Sequence, residues 1–234
     1  MTGALAPARR RGIELLDLPD ADPAIALRAL IDVGRCNRWF GGTNAVLAEL
    51  GPAMLAARGR GQSLTVLDVG TGLGDISTSV RHAGRGMGVE VTTYGVDLSA
   101  TLAAAARTAG SQTVAGNALA LPFATGSVDV VTCSQVLHHF EERDALQLLS
   151  ELTRVARQRV IVADLRRSWA AAACLWLVSW VLRFHPVSRH DGVVSVMRGF
   201  RTRELAAFVE RATGRRPHTR NRRGFRVTAS WSPR

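Results

Sequence analysis

Between Val66 and Asp75 the chain reads Val-Leu-Asp-Val-Gly-Thr-Gly-Leu-Gly-Asp. No other stretch constrains the fold as tightly. The β-branched apolar run that begins at Leu64 suits a strand buried on both faces of a parallel sheet. Glycine at alternate positions then lets the backbone turn sharply and lets a ligand lie against bare main chain. A helix is expected from Asp75 to His82. Asp97 closes the next strand, 27 residues after Gly70, where a carboxylate can accept both hydroxyls of a ribose. A tight strand–helix turn with an acidic cap would give the same pattern. The pairing of both features beyond the carboxyl ends of the strands favours a ligand site.

The alternation continues along the chain. Further strands are expected over residues 89–96, 112–115, 127–133 and 159–163, with helices over 99–109, capped by Ser99, and over 142–157. This spacing predicts right-handed βαβ units and an open doubly wound sheet. Upstream, residues 1–21 read as a loose arm, and residues 22–58 as two helices broken at Gly41-Gly42. Downstream come an apolar helix (168–184), a loop (186–199), a helix (202–213) and an antiparallel pair, 218–220 with 225–230. The expected division is an arm and helical cap over 1–62, then a ligand-binding domain over 63–234 with a lid insert at about 166–200.

Composition narrows the chemistry. Of 234 residues 47% are hydrophobic, enough for a sizeable core. There are 30 basic residues against 19 acidic, a net charge of +11, and every basic residue is Arg. The lack of Lys excludes P-loop phosphate binding, a Schiff base, a kinase site and a Tyr-x-x-x-Lys dehydrogenase. Tyr94 is the single tyrosine. Cys36, Cys133 and Cys174 are odd in number and widely spaced, as expected for reduced thiols of a cytoplasmic protein. The Arg9-Arg10-Arg11 run has no apolar core after it, so a signal peptide is not expected. The longest apolar run, 169–182, would be about 21 Å long as a helix, against a hydrocarbon core of about 30 Å.

The dinucleotide fingerprint needs G-x-G-x-x-G, and Asp75 occupies the place of its last Gly. The turn here is Gly70-x-Gly72-x-Gly74, and the segment resembles motif I of the class I S-adenosylmethionine-dependent methyltransferases. Asp97-Leu98-Ser99 is similar to their acidic second motif. Gly116-Asn117-Ala118-Leu119-Ala120-Leu121-Pro122-Phe123 is similar to their adenine-binding third motif, and residues 127–140 to their fourth strand and the loop after it. The resemblance covers residues 64–164. It implies a Rossmann-like, doubly wound α/β sheet of seven strands, mostly parallel with an antiparallel C-terminal strand. N-terminal helices would cap the sheet, and a helical insert would follow strand 5. The implied cofactor is S-adenosyl-L-methionine, with S-adenosyl-L-homocysteine as product. Gly70, Thr71, Gly72 and Gly74 would then line the methionine and ribose, and Asp68 would lie near the amino acid end. Asp97 would hold the ribose hydroxyls with Leu98 against the adenine. Asn117 and Ala118 would face the adenine edge, and Gln135 would lie under the sulfonium. Two departures stand out. Asn117 replaces the Asp often found there, though an amide oxygen still accepts from an amino group. The usual Arg-x-Leu-x-Pro-Gly-Gly is replaced by Arg154-Val155-Ala156-Arg157, which runs straight into strand 5.

Outside the core, residues 37–42, 163–168 and 189–192 are similar to bacterial small-molecule methyltransferases that accompany polyketide synthases. The core also resembles quinone-pathway and natural-product O-methyltransferases. The resemblance implies O-methylation of a small hydrophobic acceptor, phenolic or polyketide-like, with C-methylation of a quinol-type ring as the near variant. A base assists removal of a phenolic proton, and His138, His139 and His190 are the candidates. His-His is equally a plain loop-to-helix junction. Trp39, Phe40, His185 and Trp176 are candidate acceptor contacts or simple core. No metal is expected. The apolar helix places Trp169, Trp176 and Trp180 on one face. It reads as a core or dimer helix, or as a lid touching a membrane surface with Arg166, Arg167 and Arg183 at its ends. Arg215, Arg216, Arg220, Arg222, Arg223 and Arg226 raise an RNA or DNA methyltransferase as an alternative. Ser134-Gln135-Val136-Leu137 speaks against it, because it stands where an Asn/Asp-Pro-Pro-Tyr/Phe motif would mark base methylation.

Overall fold

A computed structural model describes residues 7–10, 12–18 and 22–234. Its centre is one sheet of seven strands: β1 (Leu64–Val69), β2 (Val91–Asp97), β3 (Gln112–Ala115), β4 (Val128–Ser134), β5 (Ala156–Leu165), β6 (His218–Arg222) and β7 (Arg226–Trp231). Their order is β3-β2-β1-β4-β5-β7-β6. β1 to β5 are parallel; β7 runs antiparallel to β5, and β6 antiparallel to β7. β1 and β4 occupy the middle. Leu67, Val69, Val130 and Val131 are fully buried there, as a continuous apolar run requires when both faces are covered. The strand order reverses at β1, which pairs with both β2 and β4, and that is where a doubly wound sheet opens a crevice.

The helices are α1 (Pro23–Trp39), α2 (Gly42–Gly59), α3 (Asp75–Gly86), α4 (Ala100–Thr108), α5 (Glu142–Val155), α6 (Trp169–Val181), α7 (Pro186–Arg198) and α8 (Thr202–Thr213). α2 and α3 cover one face of the sheet through Val46, Leu50, Met54, Ile76 and Val80. α5 and α8 cover the other through Leu148, Leu152, Leu205 and Val209. On α5, Ala145, Leu148, Leu149, Leu152 and Val155 form one buried stripe at the spacing of an amphipathic helix. Cutting Leu152 to Ala would cost about 2–5 kcal/mol, the usual loss for a fully buried leucine.

Three expectations need correction. Residues 186–199 are not a loop, because Pro186–Arg198 form α7. Four valines and Gly192 weaken the local helix signal. Packing supplies what propensity lacks: Val196 and Met197 bury against Ala171 and Ala172 of α6, while Pro186 and the His185 side chain start the helix. α5 ends two residues earlier than expected, since Ala156 is extended and already pairs with Val128. The arm is also held down where it is described. Leu15 and Leu16 donate their backbone N–H groups to the Asp191 carboxylate at 2.8 and 3.0 Å, and Arg198 pairs with Glu14 and Asp17. Residues 1–6, 11 and 19–21 of that arm lie outside the described residues. Among the described residues no helix is long and apolar enough to cross a membrane.

Candidate active site

The carboxyl ends of the parallel strands open into a cavity of about 1270 Å³. Its floor is built from strand ends: Gly70 after β1, Asp97 of β2, Asn117 beyond β3, Gln135 after β4, Leu165 of β5 and Arg226 of β7. Leu30, Val33 and Cys36 of α1 form one wall; Cys174 and Leu175 of α6 and Val196 of α7 form the other. Small-molecule pockets commonly measure about 300–1,000 Å³, so the space accommodates more than one ligand.

The glycine turn sits against this floor. Gly70 has φ of +73°, and a Cβ there would collide with Val136, so only glycine serves. Asp97 ties the turn to the end of β2. One carboxylate oxygen accepts from Gly72 N at 2.9 Å and the other from Ser99 N at 3.0 Å. The two elements are adjacent and share one cavity. Gly70, Asp97, Leu98, Asn117, Ala118 and Gln135 line it. Leu98 is 81% exposed at its edge, and the Asn117 amide oxygen accepts from Leu119 N. Thr71, Gly72 and Gly74 shape the turn from behind the lining. Asp68 lies beneath it, accepting from Thr71 and Thr132 hydroxyls at 3.0 and 3.1 Å. Burial, reinforced by the charge of Asp75, pushes the Asp68 carboxyl up to about 7. Asp68 is therefore a buried strut under the turn and not part of the wall.

Gln135 is a non-glycine residue with φ of +57°, a conformation held only where neighbours impose it. Its amide oxygen accepts from Arg226 Nη1 at 2.7 Å. Its amide nitrogen donates to Asn37, and Asn37 donates to Asp75 at 3.0 Å.

The two consecutive histidines separate in role. Nδ1 of His138 lies 2.7 Å from the Asp164 carboxylate, which is completely buried at the end of β5. That carboxylate also accepts from Leu165 N. Burial alone would raise Asp164, but the charge and hydrogen bond of His138 outweigh it and hold the carboxyl below its usual range. Nε2 of His138 is buried without a partner among the described residues, and the residue is on the cavity wall. His139 stacks on His138 at 4.3 Å between ring centroids and faces Asp17 and Glu14 at 3.3 and 3.8 Å. Burial would lower its pKa, and these carboxylates raise it. Glu14, His138 and His139 form one group whose potential metal-binding atoms lie within 4.8 Å of one another. Glu14 is already paired with Arg198.

Other sequence candidates lie elsewhere. Phe40 lines the cavity, but Trp39, the last residue of α1, is 73% exposed. Trp176 occupies the outer face of α6, one position from the inward Leu175. His185 caps α7, accepting from Val187 N, and His190 pairs with Asp191 on the outside of that helix. None of these four lines the cavity. Arg167 is not at a membrane-facing helix end, because it is buried against Glu204 and the Gly199 carbonyl. The C-terminal arginine cluster also divides. Arg222 pairs with Glu49 and Arg226 turns inward, leaving the others at the surface. The sequence motifs leave Asp164 and Arg226 outside the expected site. An acid closing an otherwise apolar strand, as Asp97 does, marks Asp164; nothing local separates Arg226 from its neighbouring arginines.

Residues 67–163 match the methyltransferase domain family. The structure resembles a magnesium protoporphyrin IX methyltransferase from Synechocystis solved with S-adenosylhomocysteine (TM-score 0.55, 18% identity, 93% of this chain and 90% of that one). It also resembles a methyltransferase from Thermotoga maritima described as a possible histamine N-methyltransferase (TM-score 0.56, 17% identity, 90% and 99%). A third likeness is an S-adenosylmethionine-dependent methyltransferase from Aquifex aeolicus (TM-score 0.52, 18% identity, 73% and 82%). No curated protein matches the sequence. The chain thus shares its fold with these S-adenosylmethionine-dependent methyltransferases, and residues 67–163 match the methyltransferase domain family. The site fits that cofactor: main chain without a Cβ at Gly70, a carboxylate at Asp97, and a cavity joining them.

Proposed function

We propose that the enzyme methylates an oxygen of a small apolar acceptor, phenolic or polyketide-like. The observation that carries this reading is the His138–Asp164 pair, with His138 on a largely apolar cavity wall and its buried Nε2 without a partner among the described residues. S-adenosylmethionine, when bound, supplies a methyl group made electrophilic by its sulfonium. In this reading Asp97 takes the ribose hydroxyls, Leu98, Asn117 and Ala118 meet the adenine, and Gln135 lies below the sulfur. His138 Nε2 accepts the proton of the acceptor hydroxyl. Asp164 fixes the tautomer by taking Nδ1–H and stabilises the imidazolium that results, the role a buried carboxylate plays beside a catalytic histidine. The cavity contributes alignment of nucleophile, methyl and sulfur, which is mostly positioning.

The outer face of α6 is the proposed contact with an anionic membrane surface, from which an apolar acceptor would arrive. Trp169, Trp176, Leu177, Trp180 and Val181 are all more than half exposed. Arg10 and Arg189 stack over Trp169 and Trp180, the mixture of aromatic and cationic groups that suits a lipid interface.

Calorimetry with S-adenosylhomocysteine and transfer of tritiated methyl to a panel of phenols and quinols test the enzymatic reading. Asp164→Asn should lower the turnover of phenols by about 10²–10⁴-fold, the usual contribution of a positioned base. The loss should shrink for acceptors already ionised at the assay pH. Equal losses for ionised and neutral phenols would remove His138 from the role of base.

A further inference from the structure

Arg226 is the one feature of the cavity that the methyltransferase reading leaves unexplained. Its side chain is buried, with 3% of the residue exposed, yet it has no ion-pair partner among the described residues. Nε donates to the Phe40 carbonyl at 3.5 Å and Nη1 to the Gln135 amide oxygen at 2.7 Å. Both acceptors are neutral. Nη2 has no hydrogen-bond partner among the described residues, and the residue lies on the cavity wall. Asp164, whose charge it senses, is already engaged by His138 and Leu165 N. Isolated buried charge is costly, and proteins pair it. Here burial depresses even the arginine pKa.

The surroundings suggest what completes the pair. Arg226 lies on β7, separated from β1 by β4 and β5, so its strand stands several strands along the cavity floor from those that carry Asp97 and Asn117. Its neighbours there are the apolar Phe40, Phe225 and Cys36, and burial pushes the Cys36 thiol up to about 11. Two non-glycine residues with positive φ flank it, Gln135 at +57° and Phe225 at +57°. Held strain of this kind gathers where a side chain must be aimed. A guanidinium presents a planar fork that matches a carboxylate.

Building on the methyltransferase reading, we propose that Arg226 binds a carboxylate of the acceptor. The substrate class is then an apolar acid: a hydrophobic body in the wall between α1 and α6, with its carboxylate on Arg226.

The test uses the full chain saturated with S-adenosylhomocysteine, with 4-octylbenzoate and its methyl ester as probes. The wild type should bind the acid at least tenfold more tightly than the ester. Arg226→Gln should abolish that preference, and Arg226→Lys should keep most of it. Affinity for S-adenosylhomocysteine and for 5′-methylthioadenosine should stay within about twofold in both variants. Equal binding of acid and ester by the wild type overturns the inference, and that comparison needs no folded variant. A preference that survives Arg226→Gln overturns it too. So does a variant that loses S-adenosylhomocysteine but retains 5′-methylthioadenosine, because the carboxylate held is then the cofactor's own. Folded wild type that binds no S-adenosylhomocysteine sinks the methyltransferase reading as well, which separates the two failures.

Discussion

Asp68→Asn distinguishes a buried strut from a cofactor ligand. In the folded protein the Asp68 carboxyl is raised from 3.8 to about 7, first by burial and then by the charge of Asp75. At about 1.4 kcal/mol for each tenfold change, that rise amounts to about 4 kcal/mol in favour of the protonated form. The sign follows from linkage. Between about pH 4 and pH 7 the unfolded chain has released this proton and the folded chain still holds it, so stability falls as pH rises. The loss is complete once pH passes 7. Asparagine has no proton to release, and its amide can still meet the hydroxyls of Thr71, Thr132 and Ser77. Urea melts of wild type and Asp68→Asn at pH 5, 6, 7 and 8 should therefore diverge. The variant should gain relative to wild type with each step up to pH 7 and little beyond it, by about 3 kcal/mol in all from pH 5. Comparing the two proteins cancels His139, whose raised pKa adds stability below about 6.5 that is lost as pH climbs. A constant gap across the series would refute the assignment of a buried, largely neutral Asp68. Loss of S-adenosylhomocysteine affinity in a folded Asp68→Asn would return the residue to the cofactor.

Asp97→Ala should weaken S-adenosylhomocysteine binding by about 1–3 kcal/mol, the cost of leaving buried hydroxyls unpaired; unchanged calorimetric affinity would remove Asp97 from the ribose. Trp176→Ala with Trp180→Ala should lower sedimentation with anionic phosphatidylglycerol vesicles at least tenfold, because two interfacial indoles are lost. Vesicle binding that ignores both tryptophans would count against α6 as the contact.

The glycine turn, the seven-strand sheet and the αβ alternation can be read from the sequence because each has a local cause. β-branched runs make strands, and Gly70 cannot be replaced in the space it occupies. α7 escapes such a reading, since its valines and Gly192 give no helical signal and its stability comes from α6. The site divides in the same way. Asp97 and Gln135 sit at strand ends that the motif spacing locates. His138 is visible as a candidate, but the choice between it and His139 depends on Asp164, which a different strand brings in. Trp39 and Trp176 mislead because an aromatic residue near a pocket in sequence says nothing of which side of its helix it occupies. Arg226 is hidden among arginines, and only the antiparallel return of β7 turns it inward.

The run from Arg226 through Gln135 and Asn37 to Asp75 has a fixed polarity. Arginine only donates and aspartate only accepts, so the two amides between them can point one way alone. Four separate elements, β7, the segment after β4, α1 and α3, are thereby threaded on a one-way string. Drawing the guanidinium towards an incoming anion would leave the Gln135 amide oxygen without its donor, while Asp75 still fixes the direction of both amides. The first helix of the cap would then feel, through Asn37, a slackening that begins on β7.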